Sequence, residues 1–83
     1  MNNNTNLTAS AQLKAGEGVL TGMYVNSTSS GTIKLYDSLT ATGKVMNNTI
    51  TPVIGYHDLG GANFTNGLYT TIANTLDVTL YYQ

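Results

Sequence analysis

Apolar and polar residues alternate with a period of two from residue 10 onward, and turn-forming residues interrupt the alternation at short intervals. A period of two places successive side chains on opposite faces of a strand. Leu13 and Ala15 alternate with Gln12 and Lys14 until Gly16-Glu17-Gly18 breaks the run. Val19, Met23 and Val25 then share one face, with Leu20, Gly22 and Tyr24 on the other. Residues 26–31 (NSTSSG) form a dense turn cluster, after which Ile33 and Leu35 alternate with Lys34 and Tyr36 up to Asp37. Residues 38–43 read as a loop, and Val45 to Ile50 as a short strand weakened by Asn47-Asn48. Pro52 ends that strand or confines it to an edge, because proline cannot donate to a ladder. Val53 to Leu59 is a further run closed by Gly60-Gly61, and Asn66-Gly67 is a strong turn signal. Leu68 and Ile72 alternate with Tyr69 and Thr71. In the last strand Leu76, Val78, Leu80 and Tyr82 face one way and Asp77, Thr79 and Tyr81 the other.

No window carries a convincing helical period; residues 7–15 are the one helix candidate. Short strands at close spacing, with two apolar faces to bury, predict an all-β fold. The expected form is a small two-sheet antiparallel β-sandwich, jelly-roll-like, of about seven or eight short strands. It occupies residues 10–83, and residues 1–9 (MNNNTNLTA), with no hydrophobic period, are expected to form an extended N-terminal arm. The predicted core is Leu13, Val19, Met23, Val25, Ile33, Leu35, Val45, Ile50, Ile54, Leu68, Ile72, Leu76, Val78 and Leu80.

Composition then narrows the function. Asn, Ser and Thr supply 29 of the 83 residues, while charged residues make up 8%, against roughly 25% in an average soluble domain. A free small domain usually carries a net charge of about 2 to 8, and this chain carries -1. A neutral Asn/Thr/Tyr surface wets well but repels a copy of itself weakly. The chain is either a neutral, Thr-rich monomer or a subunit whose surface is covered by neighbours, and the second reading is preferred. Oligomerisation also stabilises chains this short. With no arginine and a net charge of -1, phosphate binding by charge neutralisation is not expected, so no nucleic-acid partner is predicted. With no cysteine, disulfides and thiolate metal sites are excluded. No apolar run of about 18 residues is present, and no membrane partner is expected. The first ten residues lack the basic and apolar regions of a secretory signal.

The search for chemistry returns little. His57-Asp58 is the only adjacent histidine–carboxylate pair, and none of Ser10, Ser27, Ser29, Ser30 or Ser38 has a nucleophile context. Asp37, Asp58, Asp77 and Glu17 show no metal-ligand spacing, and Asp37 reads as a turn-capping residue. Gly16-Glu17-Gly18 is a turn, and the sequons at Asn3, Asn6, Asn26, Asn47 and Asn63 follow from the composition. No catalytic residue, cofactor or metal is expected, and the chain is read as a non-enzyme. Tyrosines are more informative: Tyr24, Tyr36, Tyr69 and Tyr81 fall opposite the predicted core face. Tyrosine is enriched at interfaces because it offers large area at small entropic cost, although cross-strand pairing on an outer face explains such a row equally well. The candidate interface set is therefore Asn2, Asn3, Asn4, Asn6 and Leu7 of the arm with Tyr24, Tyr36, Tyr69 and Tyr81. An aromatic row also leaves glycan stacking open.

The segments GVLTGMYVNSTSSGTIKLYDS (18–38), NNTITPVIGYHDLG (47–60), FTNGLY (64–69) and DVTLYY (77–82) carry a resemblance. Together they resemble small all-β proteins of the structural modules of tailed bacteriophages and related proviruses. The likeness spans about residues 18–82, its elements are short and built of common residues, and it brings no catalytic motif. It implies a virion protein made in the host cytoplasm and placed on the capsid surface, a decoration or cement protein. Such proteins commonly form clusters, often trimers, so the implied partners are the major capsid protein, other virion proteins and further copies of the chain. A tail-, neck- or fibre-associated module that binds a host receptor or glycan is the alternative it leaves.

Overall fold

In a computed structural model, residues 3–83 are described and form six strands with no helix among them. They are β1 (Asn3–Leu7), β2 (Ala11–Ala15), β3 (Gly18–Asp37), β4 (Lys44–Ile50), β5 (Gly55–Phe64) and β6 (Gly67–Tyr82). All pairings are antiparallel within one hydrogen-bonded sheet. Its axis is the long pair β3–β6, in register from Leu20↔Tyr82 to Tyr36↔Tyr69. Each long strand carries two short ones on its other side. β5 pairs with Gly18–Val25 and β4 with Ile33–Asp37 of β3, while β1 pairs with Val78–Tyr82 and β2 with Gly67–Thr70 of β6. The sheet thus has a near half ordered β5-β3-β6-β1 and a far half ordered β4-β3-β6-β2. What stands is an all-β antiparallel sheet of six strands, fewer and longer than the expected seven or eight.

The difference arises where turn chemistry serves a bend. The cluster at residues 26–31 does not reverse the chain; β3 runs through it, with register shifts at Val25/Ser27 and Ser29/Ser30. Thr28 Oγ1 accepts the Gly31 N–H at 3.1 Å and donates to the Thr75 carbonyl at 3.4 Å. Ser30 and Asn74 adopt φ of 55° and 61°, and Asn74 Nδ2 donates to the Ser30 carbonyl at 2.9 Å. Residues that favour a turn in isolation here build bulges, which bend a strand and increase its twist.

A second correction concerns the expected arm at residues 1–9. Asn3–Leu7 is a strand of the sheet, paired with β6 from Asn3↔Tyr82 to Leu7↔Val78. Leu7 is buried in the core, and Thr5 Oγ1 shares a 2.8 Å hydrogen bond with Tyr82 Oη. The alternation was invisible because Asn3 and Thr5, which share Leu7's face, are polar. The helix candidate at 7–15 instead holds β2.

One apolar cluster draws on both halves: Leu7, Leu20, Met23, Val25, Ile33, Leu35, Phe64, Leu68, Leu76, Val78, Leu80 and Tyr82. Eight of these were expected from alternation, and Leu13 and Ile72 pack against the cluster part-buried. Val19 does not take its expected place. Thr21 is an extra residue against β6, as the register shift between Leu20 and Gly22 shows, while β5 bulges in turn and sets Leu59, Gly60 and Gly61 against it. The inserted residue changes the phase, so Leu20 is buried and Val19 is left half-exposed. Val45, Ile50 and Ile54 are also outside the core, exposed at 40%, 37% and 63%. β4 is an edge strand with two register shifts, and Ile54 lies in the link to β5.

Candidate functional site

The residues with acid–base or nucleophilic potential are engaged in local structure. His57 pairs with Met23, and its Nε2 lies 2.7 Å from the Val53 carbonyl, so the ring ties the β4–β5 link to the start of β5. Asp58 follows on the opposite face, and its Oδ1 accepts the Gly60 N–H at 2.8 Å. That bond holds the Gly60-Gly61 kink, where both residues have positive φ. Ser10 Oγ accepts the Ile72 N–H at 2.8 Å, and Ser38 Oγ accepts that of Thr40 at 3.2 Å. Among the described residues no group of three His, Asp or Glu gathers as a metal would require.

Asp37 is the one buried carboxylate among the described residues. It caps a turn, as its position after a strand suggested, but the turn is a distant one, between β5 and β6. Its Oδ1 accepts N–H groups of Asn66 at 2.8 Å, Thr65 at 3.0 Å and Gly67 at 3.4 Å, while Oδ2 accepts the Thr65 N–H at 3.1 Å and hydroxyl at 3.4 Å. Burial pushes the Asp37 pKa up, but the three backbone N–H groups with the Thr65 hydroxyl outweigh it and hold the carboxyl below its ordinary value. Beside this clamp lie two open depressions, of about 440 Å³ along Glu17–Val19 and Asn63–Thr65, and about 190 Å³ along Asp37, Lys44–Met46, Ala62 and Asn63.

The expected interface residues separate into three environments. Asn3 and Asn4 are exposed on β1, Leu7 is in the core, and Asn2 lies outside the described residues. Tyr36 is 8% exposed, against the expectation of an outward-facing contact residue. Its ring meets that of Tyr69 edge-on at 6.4 Å, and the Lys34 ammonium lies 5.3 Å from its centroid. Tyr36 and its half-buried partner Tyr69 therefore form a cross-strand pair that covers itself, the alternative already open for such a row. These two belong to the far half.

Tyr24 and Tyr81 lie in the near half, where the topology brings in a third ring that alternation alone did not single out. Tyr56 of β5 is the direct cross-strand partner of Tyr24 and packs against Tyr81 with centroids 6.3 Å apart at 45°. Gly22, partner of both Asp58 and Tyr81, makes this possible: a Cβ there would collide with the Tyr56 hydroxyl. Tyr24 and Tyr56 stay 42% and 53% exposed. Next to them runs a polar row. Asn6 Nδ2 donates to Asp77 Oδ1 at 2.7 Å and Thr79 Oγ1 at 3.2 Å, and Asn26 Nδ2 donates to the same two atoms at 3.3 Å each. Sequence reading found Tyr24, Tyr81 and Asn6; Tyr56 could be found only from the β3–β5 register.

Exposed apolar side chains also gather along the sequence of β4 and the link that follows it. Val45, Ile50, Val53 and Ile54 are all exposed, Val53 at 69%. They fall within ten residues of a chain whose largest apolar side chains are otherwise mostly buried. Comparison with protein-family models, with curated proteins and with solved structures returned no match to this chain.

Proposed function

We propose that the chain is a non-enzymatic structural protein of a virion, a capsid decoration or cement protein that binds the phage shell and bridges neighbouring capsomers. The observation that carries this reading is the exposed apolar run at Val45, Ile50, Val53 and Ile54 on a chain with only seven charged residues. Apolar surface concentrated in one segment marks an interaction site, and a surface this poor in charge gives little protection against association. The same run gives the shell or a sister subunit something to cover. The resemblance of residues 18–82 to phage structural proteins supports the virion setting. Homo-oligomers, trimers first, would set several such runs around one axis, so that modest single contacts add over the lattice.

The domain suited to that role is a bent sandwich, with the near and far halves of the sheet folded over one core. In support, Met23, Val25, Val78 and Leu80 of the near half and Ile33, Leu35 and Leu68 of the far half are all fully buried. A single layer leaves one face wet, and no helix among the described residues covers it.

The test is occupancy on the particle. Virions of the encoding phage or provirus, assembled with Val53→Asp/Ile54→Asp, are expected to lose most of the protein while the purified variant keeps its melting temperature. Undiminished occupancy of a folded variant, or a copy number of only a few dozen per wild-type particle, overturns the decoration reading. A copy number that low would favour the second reading, a recognition module on a tail or fibre, which the Tyr24–Tyr56–Tyr81 face supports.

A further inference from the structure

We infer that the outer face of the near half is a binding site for a neutral oligosaccharide, with Tyr56 and Tyr24 as stacking platforms and the Asn6–Asp77–Asn26 row as the hydroxyl-reading edge. The inference does not depend on the decoration reading, since it uses a different surface from Val45–Ile54.

The register aligns the components. Tyr56 pairs with Tyr24, Tyr24 with Thr79, and Thr79 with Asn6, one residue from each of β5, β3, β6 and β1. At about 4.8 Å per strand this row spans about 14 Å. One end is aromatic and the other is polar. The aromatic end is built as a surface: Tyr56 crosses the side-chain-free Gly22 to reach Tyr81, which fixes its ring on the sheet while half of it stays in water. A pyranose presents an apolar face of C–H groups that such a ring can cover, and a rim of hydroxyls that need acceptors.

The polar end supplies them. Both carboxamide N–H groups are turned onto Asp77 Oδ1 and Thr79 Oγ1. That arrangement holds the amides still and leaves the Asn6 and Asn26 carbonyl oxygens and Asp77 Oδ2 with no partner among the described residues. Three acceptors fixed beside two exposed rings match the way sites combine apolar contact with a few well-placed polar groups.

Charge selects the class of sugar. The three lysines, Lys14, Lys34 and Lys44, sit on β2, the far part of β3 and β4, all in the far half. Among the described residues the near-half strand segments carry only the carboxylates Asp77 and Asp58 as charged groups, so sulfated, phosphorylated or sialylated ligands and nucleic acids meet like charge there. A quaternary ammonium is served best by cation contact with ring faces, whereas Tyr56 and Tyr81 lie side by side at a tilt.

The test uses the full purified chain. Maltotetraose, cellotetraose, mannotetraose and chitotetraose are titrated to millimolar concentration while backbone amide NMR shifts are followed, and a glycan array extends the panel. Tetramethylammonium and a sulfated heparin tetrasaccharide serve as competitors. The expected result is binding of at least one neutral saccharide, with shifts centred on Tyr24, Tyr56, Tyr81 and Asn26. Tyr56→Ala and Tyr24→Ala each weaken it about tenfold or more, while Tyr56→Phe retains most of it. Both side chains are largely outside the core, so these variants fold, and their amide spectra verify it. No binding to any neutral saccharide, binding that survives both alanine substitutions, shifts centred elsewhere, or preference for the ammonium or the sulfated sugar each overturns the inference. Loss of shell occupancy in the Val53/Ile54 variant has no bearing on these outcomes, so the two proposals fail separately.

Discussion

Replacing Asp37 by asparagine tests how the β5–β6 turn is held. The carboxylate accepts three consecutive backbone N–H groups, from Thr65, Asn66 and Gly67, together with the Thr65 hydroxyl. Asparagine keeps one acceptor oxygen but turns an NH2 group toward donors. Hydrogen bonds to a charged acceptor contribute about 1.5–3 kcal/mol each, and an unpaired buried donor costs about 1–3 kcal/mol. Thr65 and Asn66 are exposed, so water can replace the carboxylate at their N–H groups, whereas Gly67 is buried and has no such substitute. With the amide oxygen at the Oδ1 position the three N–H bonds remain but lose their charged acceptor, at about 1 kcal/mol each; with the two exposed ones partly recovered by water, Asp37→Asn is expected to cost about 2–3 kcal/mol. A domain of this size has about 4–12 kcal/mol in all, and 1 kcal/mol moves its melting temperature by about 4–8 °C. Urea unfolding followed by tyrosine fluorescence at pH 7 measures the difference directly.

The pH dependence of that difference separates a charged clamp from mere packing. The carboxyl is held below its ordinary value in the folded state. Its contribution is therefore fully present above the unfolded pKa of about 3.9 and is lost as pH falls through the lower folded value. The gap between wild type and Asp37→Asn should stay constant from pH 7 to about 5 and narrow below about pH 4. A gap under about 0.5 kcal/mol at pH 7, within the range of ordinary surface substitutions, would refute the reasoning. So would a gap that persists unchanged at acid pH, because the ionised form would then contribute nothing.

Two further substitutions address the core. Thr70 is fully buried and its hydroxyl has no partner among the described residues, so Thr70→Val, which keeps the shape, should stabilise by about 1 kcal/mol or more, read as a higher urea midpoint at unchanged slope. If Thr21 is the inserted residue of β3, Leu20→Ala should cost about 2–5 kcal/mol, as core truncations do. Val19→Ala should cost well under half of that in the same assay, and the reverse order would restore the strict alternation.

The two long strands show what the pattern of residues could and could not disclose. In β6 every core position falls on even numbers from Leu68 to Tyr82, so alternation alone locates Leu68, Ile72, Leu76, Val78 and Leu80. In β3 the phase changes at each register shift: once between Leu20 and Met23, and twice more between Val25 and Ile33, where the two changes cancel and the core positions stay odd-numbered. A bulge leaves no fixed signature, and here one sits at a threonine and others within a Ser/Asn cluster that equally describes a turn. β1 was hidden for a simpler reason: its inward positions are Asn3 and Thr5, so only Leu7 reports the burial. Of the near-face site, Tyr24, Tyr81 and Asn6 were legible as outward residues. Tyr56 and Gly22 acquire meaning only from the pairings Tyr24↔Tyr56 and Gly22↔Asp58, 32 and 36 residues apart, which no local period encodes.

The phase changes in β3 also connect the core to the surface. Without the extra residue at Thr21, the strand would carry Leu20 outward and Val19 inward against β6, whose own phase is set by Leu80 and Tyr82. With it, Leu20, Met23 and Val25 all reach the core, and Gly22 and Tyr24 stay on the outer face beside Tyr81 and Tyr56. Gly22 is then free of any packing duty and can serve as the gap that Tyr56 crosses. The next shift, around Asn26, turns that side chain onto Asp77 and Thr79, where Asn6 already binds. Two inserted residues in one strand thus bring ring and polar row onto a single surface while burying the apolar side chains behind it. A strand in strict alternation, with the same side chains, would have to give up either Leu20 in the core or the continuity of that face.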